Sequence, residues 1–347
     1  MIEIVETTRA DDAAWRDYTG RNPEARLFHD RRWGDVIEKA YGHRTVHLAA
    51  KRGGRIVGVL PVTDVKSALL GRALISGAFA VAGGALADDD EALGALCGRA
   101  HDMGRELGVK YVELRGGGAP ANTVWVAKSG IHAAFVRELP ATEDGLIPWL
   151  PKNRRAQVKK AMRIESEHGA SLRSGGTPEE FQPLYAESLR NLGTPVPPMA
   201  LFREIMTAFA DSAEITLCMK DGAPIAGVLS FWHGGSVAPY YIGGTAEARA
   251  LFAYDYLYFS LMKEAIARGV RIFDYGRSKI GSTHFDTKTY WGFAPTPVVY
   301  QVGLVRAKEL PNLSGANPKF ALISDVWKRL PLPVANLAGP ILARHLA

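Results

Sequence analysis

Two stretches, KRGGRIVGVL at Lys51–Leu60 and KDGAPIAGVL at Lys220–Leu229, share the pattern Lys-x-Gly-x-x-Ile-x-Gly-Val-Leu. In the first, two apolar runs meet at a glycine pair, which predicts a β-hairpin, and the second repeats the pattern. A second pair of matches, Gly108–Tyr111 and Gly269–Ile272, lies at predicted helix-to-strand boundaries. Both pairs occur in the same order along the chain and at nearly the same spacing. Such sustained self-similarity predicts a duplicated α/β fold.

Length and composition agree with two domains. The chain has 347 residues, of which 47% are hydrophobic and 22% charged, and this is typical of a soluble globular protein that buries more than one core. The formal net charge of +6 favours an anionic partner such as a phosphate, a nucleotide, RNA or a membrane surface.

We expect two α/β domains, at 1–140 and 141–305, that divide near Leu139–Pro151. A tail at 306–347 follows, which is apolar with scattered Lys and Arg. We predict that this tail packs against the rest of the protein, and the alternative is that it contacts a membrane surface. Cys97 and Cys218 lie in unrelated apolar settings and are predicted to be buried free thiols of a reducing compartment. The acidic N-terminus and the lack of a long apolar run predict a cytoplasmic protein.

The stretch FDYGRSKIGSTHFDTKTYWGF, Phe273–Phe293, concentrates polar side chains after an apolar run. We predict a strand that ends at Tyr275, a glycine turn at Gly276, and a polar loop that ends at Trp291. Loops held at the ends of strands are where binding and catalytic groups tend to lie. An ordinary surface connection is the alternative.

A basic segment, KNRRAQVKKAMR at 152–163, opens the second domain. On a helix, one stripe is formed by Lys152, Arg155, Lys159 and Arg163. The stripe is either a solvated helix face or a surface that faces phosphate groups, with Arg as a bidentate ligand. No acidic residue lies within the run to pair with these cations.

Further candidate binding residues lie outside these two stretches. The loop at 191–195, rich in polar residues and proline, suits a binding rim and contributes Asn191 and Thr194. Tyr241 and Tyr254 are possible hydrogen-bond donors, although aromatic residues near strands more often pack in a core. Among the histidines no pair has metal-ligand spacing, so we expect no metal site.

These motifs occur together with several shorter ones, and the match extends over nearly the whole chain from about Leu27. The shorter motifs are His29-Asp30 with Trp33, Gly83-Gly84, Arg155–Ala161, Asn191–Val196, Asn317-Pro318-Lys319 and Leu330-Pro331-Leu332-Pro333. With Tyr275-Gly276-Arg277-Ser278, Lys288 and Trp291-Gly292, they resemble the Fem-type branch of the GNAT acyltransferase superfamily. Within it the chain is most similar to the FemAB-like proteins of PEP-CTERM/exosortase and exopolysaccharide systems.

The resemblance implies two tandem GNAT-like domains, each a mixed sheet flanked by helices, with the site in or beside the second. It implies transfer of an aminoacyl or acyl group to an amino group of a cell-envelope or exopolysaccharide precursor. The donor is aminoacyl-tRNA or acyl-CoA, and no cofactor is tightly bound. The alternatives are an acyl-CoA-dependent GNAT N-acetyltransferase and a catalytically silent RNA- or saccharide-binding scaffold. We expect a cytoplasmic protein, with a peripheral position at the inner membrane as the alternative.

Two departures from the family pattern are visible. The family's aromatic-lysine-basic triplet is Thr287-Lys288-Thr289 in this chain, and Tyr254-Asp255 occupies a position where many relatives have Asn. The segment before the long helix that starts near Phe252 has no glycine close to the helix start, which disfavours the phosphate cradle of an acyl-CoA site.

The chemistry of acyl transfer assigns roles to four residues of the Phe273–Phe293 stretch. Lys288 is the first choice to stabilise negative charge, on the oxyanion or on a substrate phosphate. Arg277 is the expected anion clamp, and Ser278 a short-range donor. Asp274 is either a general base or the group that orients Arg277. Trp291 and the basic stripe are expected to bind substrate.

Overall fold

The computed structural model describes residues 1–120, 124–310 and 318–347, with the backbone alone at 318–323. Asn317, one of the tail motifs, lies outside these residues. The strands are β1 (Glu3–Glu6), β2 (Thr45–Arg52), β3 (Arg55–Ser67), β4 (Gly71–Ser76), β5 (Leu86–Ala87), β6 (Tyr111–Arg115), β7 (Trp125–Lys128), β8 (His132–Glu138), β9 (Ser171–Ser174), β10 (Ala213–Lys220), β11 (Ala223–His233), β12 (Ser236–Gly244), β13 (Ile272–Lys279), β14 (Pro295–Pro297) and β15 (Tyr300–Leu304).

The α-helices occur singly or in short groups between runs of consecutive strands. They are α1 (Asp12–Arg21), α2 (Arg31–Tyr41), α3 (Asp90–Leu107), α4 (Leu146–Trp149), α5 (Lys152–Ala161), α6 (Ile164–His168), α7 (Pro178–Leu192), α8 (Met199–Ala208), α9 (Ala246–Ala250), α10 (Ala253–Ala267), α11 (Thr283–Tyr290), α12 (Pro318–Arg329) and α13 (Leu332–Ala343). Within the described residues, none of these helices is long and apolar enough to cross a bilayer.

The chain forms two compact units. Among the described residues, the first unit holds 1–120, 124–130, 298–310 and 341–347, and the second holds 131–297 and 318–340. The strand order is β1-β2-β3-β4-β6-β15-β7 in the first unit, with β5 beside β3, and β9-β10-β11-β12-β13-β8-β14 in the second. Each sheet includes a parallel pair, β4–β6 and β12–β13, among antiparallel neighbours. The predicted fold class, two mixed sheets flanked by helices on one plan, is confirmed.

The repeated hairpins occupy equivalent elements, β2–β3 and β10–β11. However, the alignment of the sequence repeat is shifted by one residue relative to the alignment of the two structures. The two turns are Gly53-Gly54 and Asp221-Gly222, and all four residues have positive φ, as a tight two-residue hairpin turn requires. Gly53 therefore corresponds to Asp221 in the structure, whereas the sequence repeat aligns it with Gly222. The repeat likewise aligns Gly58 of β3 with Gly227 of β11. Because side chains alternate along a strand, these two glycines face opposite sides of their sheets.

The helix-to-strand boundaries correspond without a shift. Gly108 and Gly269 each end a helix with positive φ. The following N–H groups, of Val109 and Val270, donate to the carbonyls of Gly104 and Ala265, at 3.0 and 2.8 Å. This is the glycine C-terminus expected of a helix that turns directly into a strand. The alignment of these boundaries read from the sequence holds in the structure.

The two sheets exchange one strand each, so the units differ from the expected divisions at 140 and 305. The strand β8 precedes the second unit's own strands and pairs with β13. The strand β15 follows them and pairs with β6 and β7 of the first sheet. The predicted boundaries followed the order of the chain, whereas pairing in the sheets places 131–138 in the second unit and 298–304 in the first.

The tail helix α12 packs closely on the end of α7. An ideal Cβ on Gly193, the residue after α7, would lie 2.1 Å from Oγ of Ser324 in α12.

Cys97 and Cys218 are buried free thiols, as predicted, and burial raises the pKa of each to about 12. Thiols of this kind are unreactive at neutral pH.

Candidate active site

The motif Tyr275-Gly276-Arg277-Ser278 lies inside a strand, so the predicted turn at Gly276 is wrong. The strand β13 continues to Lys279, and its pairing with β8 shifts between Asp274 and Arg277. Tyr275 and Gly276 form a bulge there, and the φ of Gly276 is +70°. A bulge re-aims the side chains that follow it, which explains why a glycine is needed without a turn.

The predicted polar loop after β13 is largely the helix α11. The hydroxyl of Ser282 caps it by accepting from the N–H of Phe285, at 3.3 Å. Two hydroxyls of α11, of Thr287 and Thr289, donate to carbonyls one turn earlier, at 2.8 and 3.1 Å. The helix returns the chain over β13, where Nζ of Lys288 donates to the carbonyl oxygen of Arg277, at 3.0 Å.

Lys288 is held in a largely apolar setting. Its Nζ lies 5.6 Å from the ring centre of Phe135 and 5.4 Å from that of Tyr275. Burial lowers the pKa of Lys288 to about 8, Asp274 acts to raise it, and Arg277 acts to lower it further. A lysine with this pKa changes its charge close to physiological pH, and lowered lysine pKa values are concentrated at functional sites, although buried structural networks also produce them.

Three predicted residues therefore meet around the bulge: Asp274, Arg277 and Lys288. The carboxylate of Asp274 accepts from the N–H of Gly276, at 2.9 Å, and so stabilises the bulge itself. Arg277 is half-buried, and the adjacent Ser278 is buried. The arrangement offers two cations and one carboxylate around a single bulge, which suits the binding of a developing negative charge.

The sheet opens beside this group. The parallel strands β12 and β13 pair at Ser236 with Ile272 and at Val237 with Phe273, and their ladder ends there. Further along β12, its pairing with β11 shifts so that Tyr240 is an extra, bulged residue. Asp274 is the first residue of β13 past the paired region, so the candidate site starts where the two strands separate.

A buried ionic network joins α5 to α10 and was not predicted from the sequence. Arg154 of α5 pairs with Asp255 of α10, and both side chains are buried. Gln157 links them, accepting from Arg154 at 2.7 Å and donating to Asp255 at 3.0 Å. Burial raises the pKa of Asp255, and the guanidinium of Arg154 opposes that shift. The two charged residues are far apart in the sequence, so no local signal indicated their contact.

Trp291 belongs to the core around this network. Its side chain is fully buried, and the guanidinium of Arg154 lies 4.4 Å from its ring centre. Tyr275 and Tyr258 pack nearby, with ring centres 4.7 Å apart. A fully buried ring is not available to a substrate, so the expected substrate-binding role of Trp291 is replaced by packing against Arg154.

The predicted basic stripe is not one surface. Arg155 donates to the carbonyls of Leu150 and Pro148, at 2.9 and 2.6 Å, and Arg163 lies beyond the end of α5, paired with Glu167 at 2.7 Å. Lys152 and Lys159 are exposed on α5. The stripe is corrected to these two lysines, because the guanidinium groups serve local structure.

The remaining predicted residues form a separate group along α7. Tyr241 is buried among aromatic rings, including that of Tyr185 at 5.5 Å. The hydroxyl of Tyr254 lies 3.3 Å from Oγ of Ser188. Asn191 is half-buried near the end of α7, and Thr194 is exposed beyond it. These contacts do not extend to Lys288, so the group is described apart from the site on β13.

No metal centre is present in the described ranges, since no three of their His, Cys, Asp and Glu side chains are placed to share an ion.

Comparison with known proteins gives one family match. Residues 152–286 match the acetyltransferase (GNAT) domain. This range includes β9 to β13, Arg277 and Ser278, and it ends just before Lys288. No curated protein matches the chain significantly.

Solved structures share the fold over nearly the whole chain. A structure of FemX has a TM-score of 0.66 at 14% identity and covers 93% of this chain and 100% of its own. A tandem GNAT protein from the clavulanic acid biosynthesis pathway has a TM-score of 0.55 at 16% identity, with coverage of 89% and 100%. The structure of L-PGS from Bacillus licheniformis has a TM-score of 0.53 at 10% identity, with coverage of 94% and 98%. At these identities the likeness shows the fold, which is that of tandem GNAT proteins.

Proposed function

We propose, from the premise that residues 152–286 form a GNAT domain, that this chain is a Fem-type N-acyltransferase. The observation that carries the proposal is Lys288, whose amine is fixed against the carbonyl of Arg277 and surrounded by aromatic rings. An ammonium group has three donors, and one of them is used in this contact. The others are available for an anion that forms beside the bulge of β13.

The reaction we propose joins an acceptor amine to an activated acyl carbon. The neutral amine attacks the carbonyl carbon, an N–C bond forms, and negative charge develops on the carbonyl oxygen. Lys288 stabilises this oxyanion, and Arg277 binds an anionic part of the donor. The C–O bond of an ester donor then breaks, and the proton lost by the amine ends on the leaving oxygen. Holding both substrates in register supplies much of the remaining acceleration.

For the donor, we favour aminoacyl-tRNA over acyl-CoA. A phosphate cradle at the start of α10 would need free N–H groups and a backbone that a phosphate can approach closely. In this chain no glycine lies from Thr245 to Asp255, and the residue before the helix, Phe252, has a φ of +59°. The exposed Lys152 and Lys159 on α5 suit a polyanion.

The acceptor in this proposal is an amino group of a cell-envelope or exopolysaccharide precursor. The protein would act in the cytoplasm, peripheral to the inner membrane. The likeness to FemX supports a Fem-type assignment at the level of the fold. The chemistry of the acceptor follows from the reaction alone, which requires an amine that is neutral when it attacks.

Salt titrations of binding test the donor. The double variant Lys152→Ala, Lys159→Ala is compared with a control that removes two exposed cations elsewhere, Arg55→Ala, Lys308→Ala. If α5 contacts the tRNA backbone, the first variant weakens binding and lowers the log-log salt slope by about two, roughly 0.9 for each lost contact. The control leaves the slope unchanged.

Three outcomes separate the alternatives. Saturable acyl-CoA binding with no affinity for tRNA would establish the acyl-CoA-dependent enzyme instead. A tRNA slope that does not respond to the α5 variant would remove the support for this donor. Tight tRNA or saccharide binding without any transfer to an amine such as glucosamine would identify a silent binding module.

A further inference from the structure

The last helix, α13, presents its large apolar side chains outward. Leu337 is 78% exposed, Ile341 63% and Val334 49%. The spacing of three and four positions places them on one face of the helix. Single exposed apolar residues are ordinary on a protein surface, but three on one helix face form a continuous patch.

The opposite face of α13 carries small residues. Ala335 and Ala343 are buried there, and Gly339 lies between them at helical spacing. An ideal Cβ on Gly339 would lie 2.7 Å from Cγ1 and 2.9 Å from the backbone nitrogen of Val196. The helix backbone therefore approaches Val196 too closely for a larger side chain. This contact determines which face is buried, so the apolar face is held outward by the packing.

Two exposed cations flank α13 in the sequence, and residues 326–347 contain no Asp or Glu. Lys328, the third cation of this segment, is paired with Asp325 at 3.1 Å, so Arg329 and Arg344 carry the charge argument. Arg329 comes before the helix and Arg344 follows it, and both are exposed. An apolar face with cations at both ends is complementary to a lipid surface that carries anionic headgroups.

We propose that α13 docks the chain on an anionic lipid surface, lying parallel to it with Val334, Leu337 and Ile341 inserted among the acyl chains. With 12 residues the helix is about 18 Å long. A spanning helix needs about 20 residues, so α13 lies on the membrane rather than across it. This inference stands apart from the acyl transfer proposed above, since it concerns neither β13 nor α11.

A second copy of the chain fits the same face less well. Antiparallel pairing of two α13 helices would bring Arg329 of each copy next to Arg344 of the other, and parallel pairing would align like charges. No Asp or Glu within 326–347 is present to offset this repulsion. A bilayer with anionic headgroups satisfies the apolar face and the cations together.

Vesicle co-sedimentation of the full chain tests the proposal without any assay of activity. The probes are vesicles of phosphatidylcholine alone and vesicles with about one third phosphatidylglycerol. We expect binding to the anionic vesicles, weakened by salt, and reduced about tenfold or more in Leu337→Ser, Ile341→Ser because two inserted side chains are lost. Arg329→Ala is expected to weaken binding to anionic vesicles alone.

A matched control removes an equally exposed apolar residue elsewhere. Leu69 is 61% exposed in the turn between β3 and β4, and Leu69→Ser should leave vesicle binding unchanged. Absence of binding to anionic vesicles, or equal binding by the α13 double variant, would overturn the proposal. So would a dimer that the double variant dissociates and that binds no vesicle, since the face would then belong to a second copy.

Discussion

The two units place an acidic residue at the same point of the same strand and surround it differently. In the first unit Glu113 of β6 is buried, with Arg115 at 2.9 Å and Lys128 at 3.4 Å. When Gly108 is aligned with Gly269, the equivalent residue of the second unit is Asp274 of β13, which is half-buried and acts electrostatically on Lys288. Glu113 is buried in ion pairs, whereas Asp274 accepts from the N–H of Gly276 in the bulge of β13.

The chain of the first unit fills the space beside its parallel strands. Arg115 donates to the carbonyl of Ala80 at 2.9 Å, and the hydroxyl of Tyr300 donates to that of Val81 at 3.1 Å. An ideal Cβ on Gly84 would lie 1.6 Å from the carbonyl oxygen of Gly116. The first unit therefore uses its ion pair and this segment as structure. The two units therefore share one plan, and under the proposed function only the second unit uses this position for chemistry.

The largest expected difference between the units concerns their lysines. Lys288→Met should lower turnover by about a hundredfold or more, since it removes a donor to the oxyanion, while the melting temperature is maintained. Lys128→Met should leave turnover within about twofold and lower stability by about 1 kcal/mol, since one hydrogen bond to buried Glu113 is lost. Transfer from labelled aminoacyl-tRNA to glucosamine and thermal melting measure the two effects. Equal loss of activity in both variants would contradict the division of roles.

The pH dependence gives the next largest effect. The pKa of Lys288 is about 8, so it is protonated below pH 8 and loses its charge above it. If the charged form is required, turnover relative to the always-charged Lys288→Arg falls about tenfold per pH unit above 8. Asp274→Asn removes the carboxylate that raises this pKa and should move the inflection to lower pH. A relative rate that rises through pH 8 would instead make neutral Lys288 a general base.

The smallest effect tests the equivalence of the two hairpin turns. Gly53 corresponds to Asp221, and both have positive φ. Gly53→Asp therefore places in the first unit the residue type that adopts this conformation in the second. No atom lies within 4 Å of a Cβ built on Gly53. We expect a change in the free energy of unfolding within about 0.5 kcal/mol, measured by denaturant titration. Gly53→Val should cost about 1 kcal/mol or more, since a β-branched residue is strained at positive φ.

Features that depend on a few neighbouring residues could be predicted from the sequence. The helix ends at Gly108 and Gly269 are of this kind, because the glycine, the preceding helix and the following strand are contiguous. The two hairpins were also predicted as elements. Their register was not, since glycine at either central turn position satisfies the same local pattern.

Features that depend on distant segments could not be predicted. The bulge at Tyr275-Gly276 exists because β13 pairs with β8, which comes from a much earlier part of the chain. Without that partner, a glycine after an apolar run is indistinguishable from a turn. Arg154 was likewise part of a basic run on the sequence, and its burial depends on Asp255. Asp274, Arg277 and Lys288 could be named as candidates because they lie within one short stretch of the chain, whereas the helix α11 that brings Lys288 back to β13 was predicted as a loop.

The exchange of β8 and β15 has a consequence for how the protein is made. On the ribosome, β6 and β7 emerge long before β15, the strand that must lie between them. At about 5–20 residues per second, the first sheet is incomplete for roughly 10–30 s, with open edges that invite pairing with other chains. A fragment cut near residue 140 would keep those open edges permanently. Most of the first unit is therefore synthesised early, but its sheet can be completed only after the chain has been synthesised up to Leu304. Until then, folding without aggregation depends on protecting the open edges of β6 and β7.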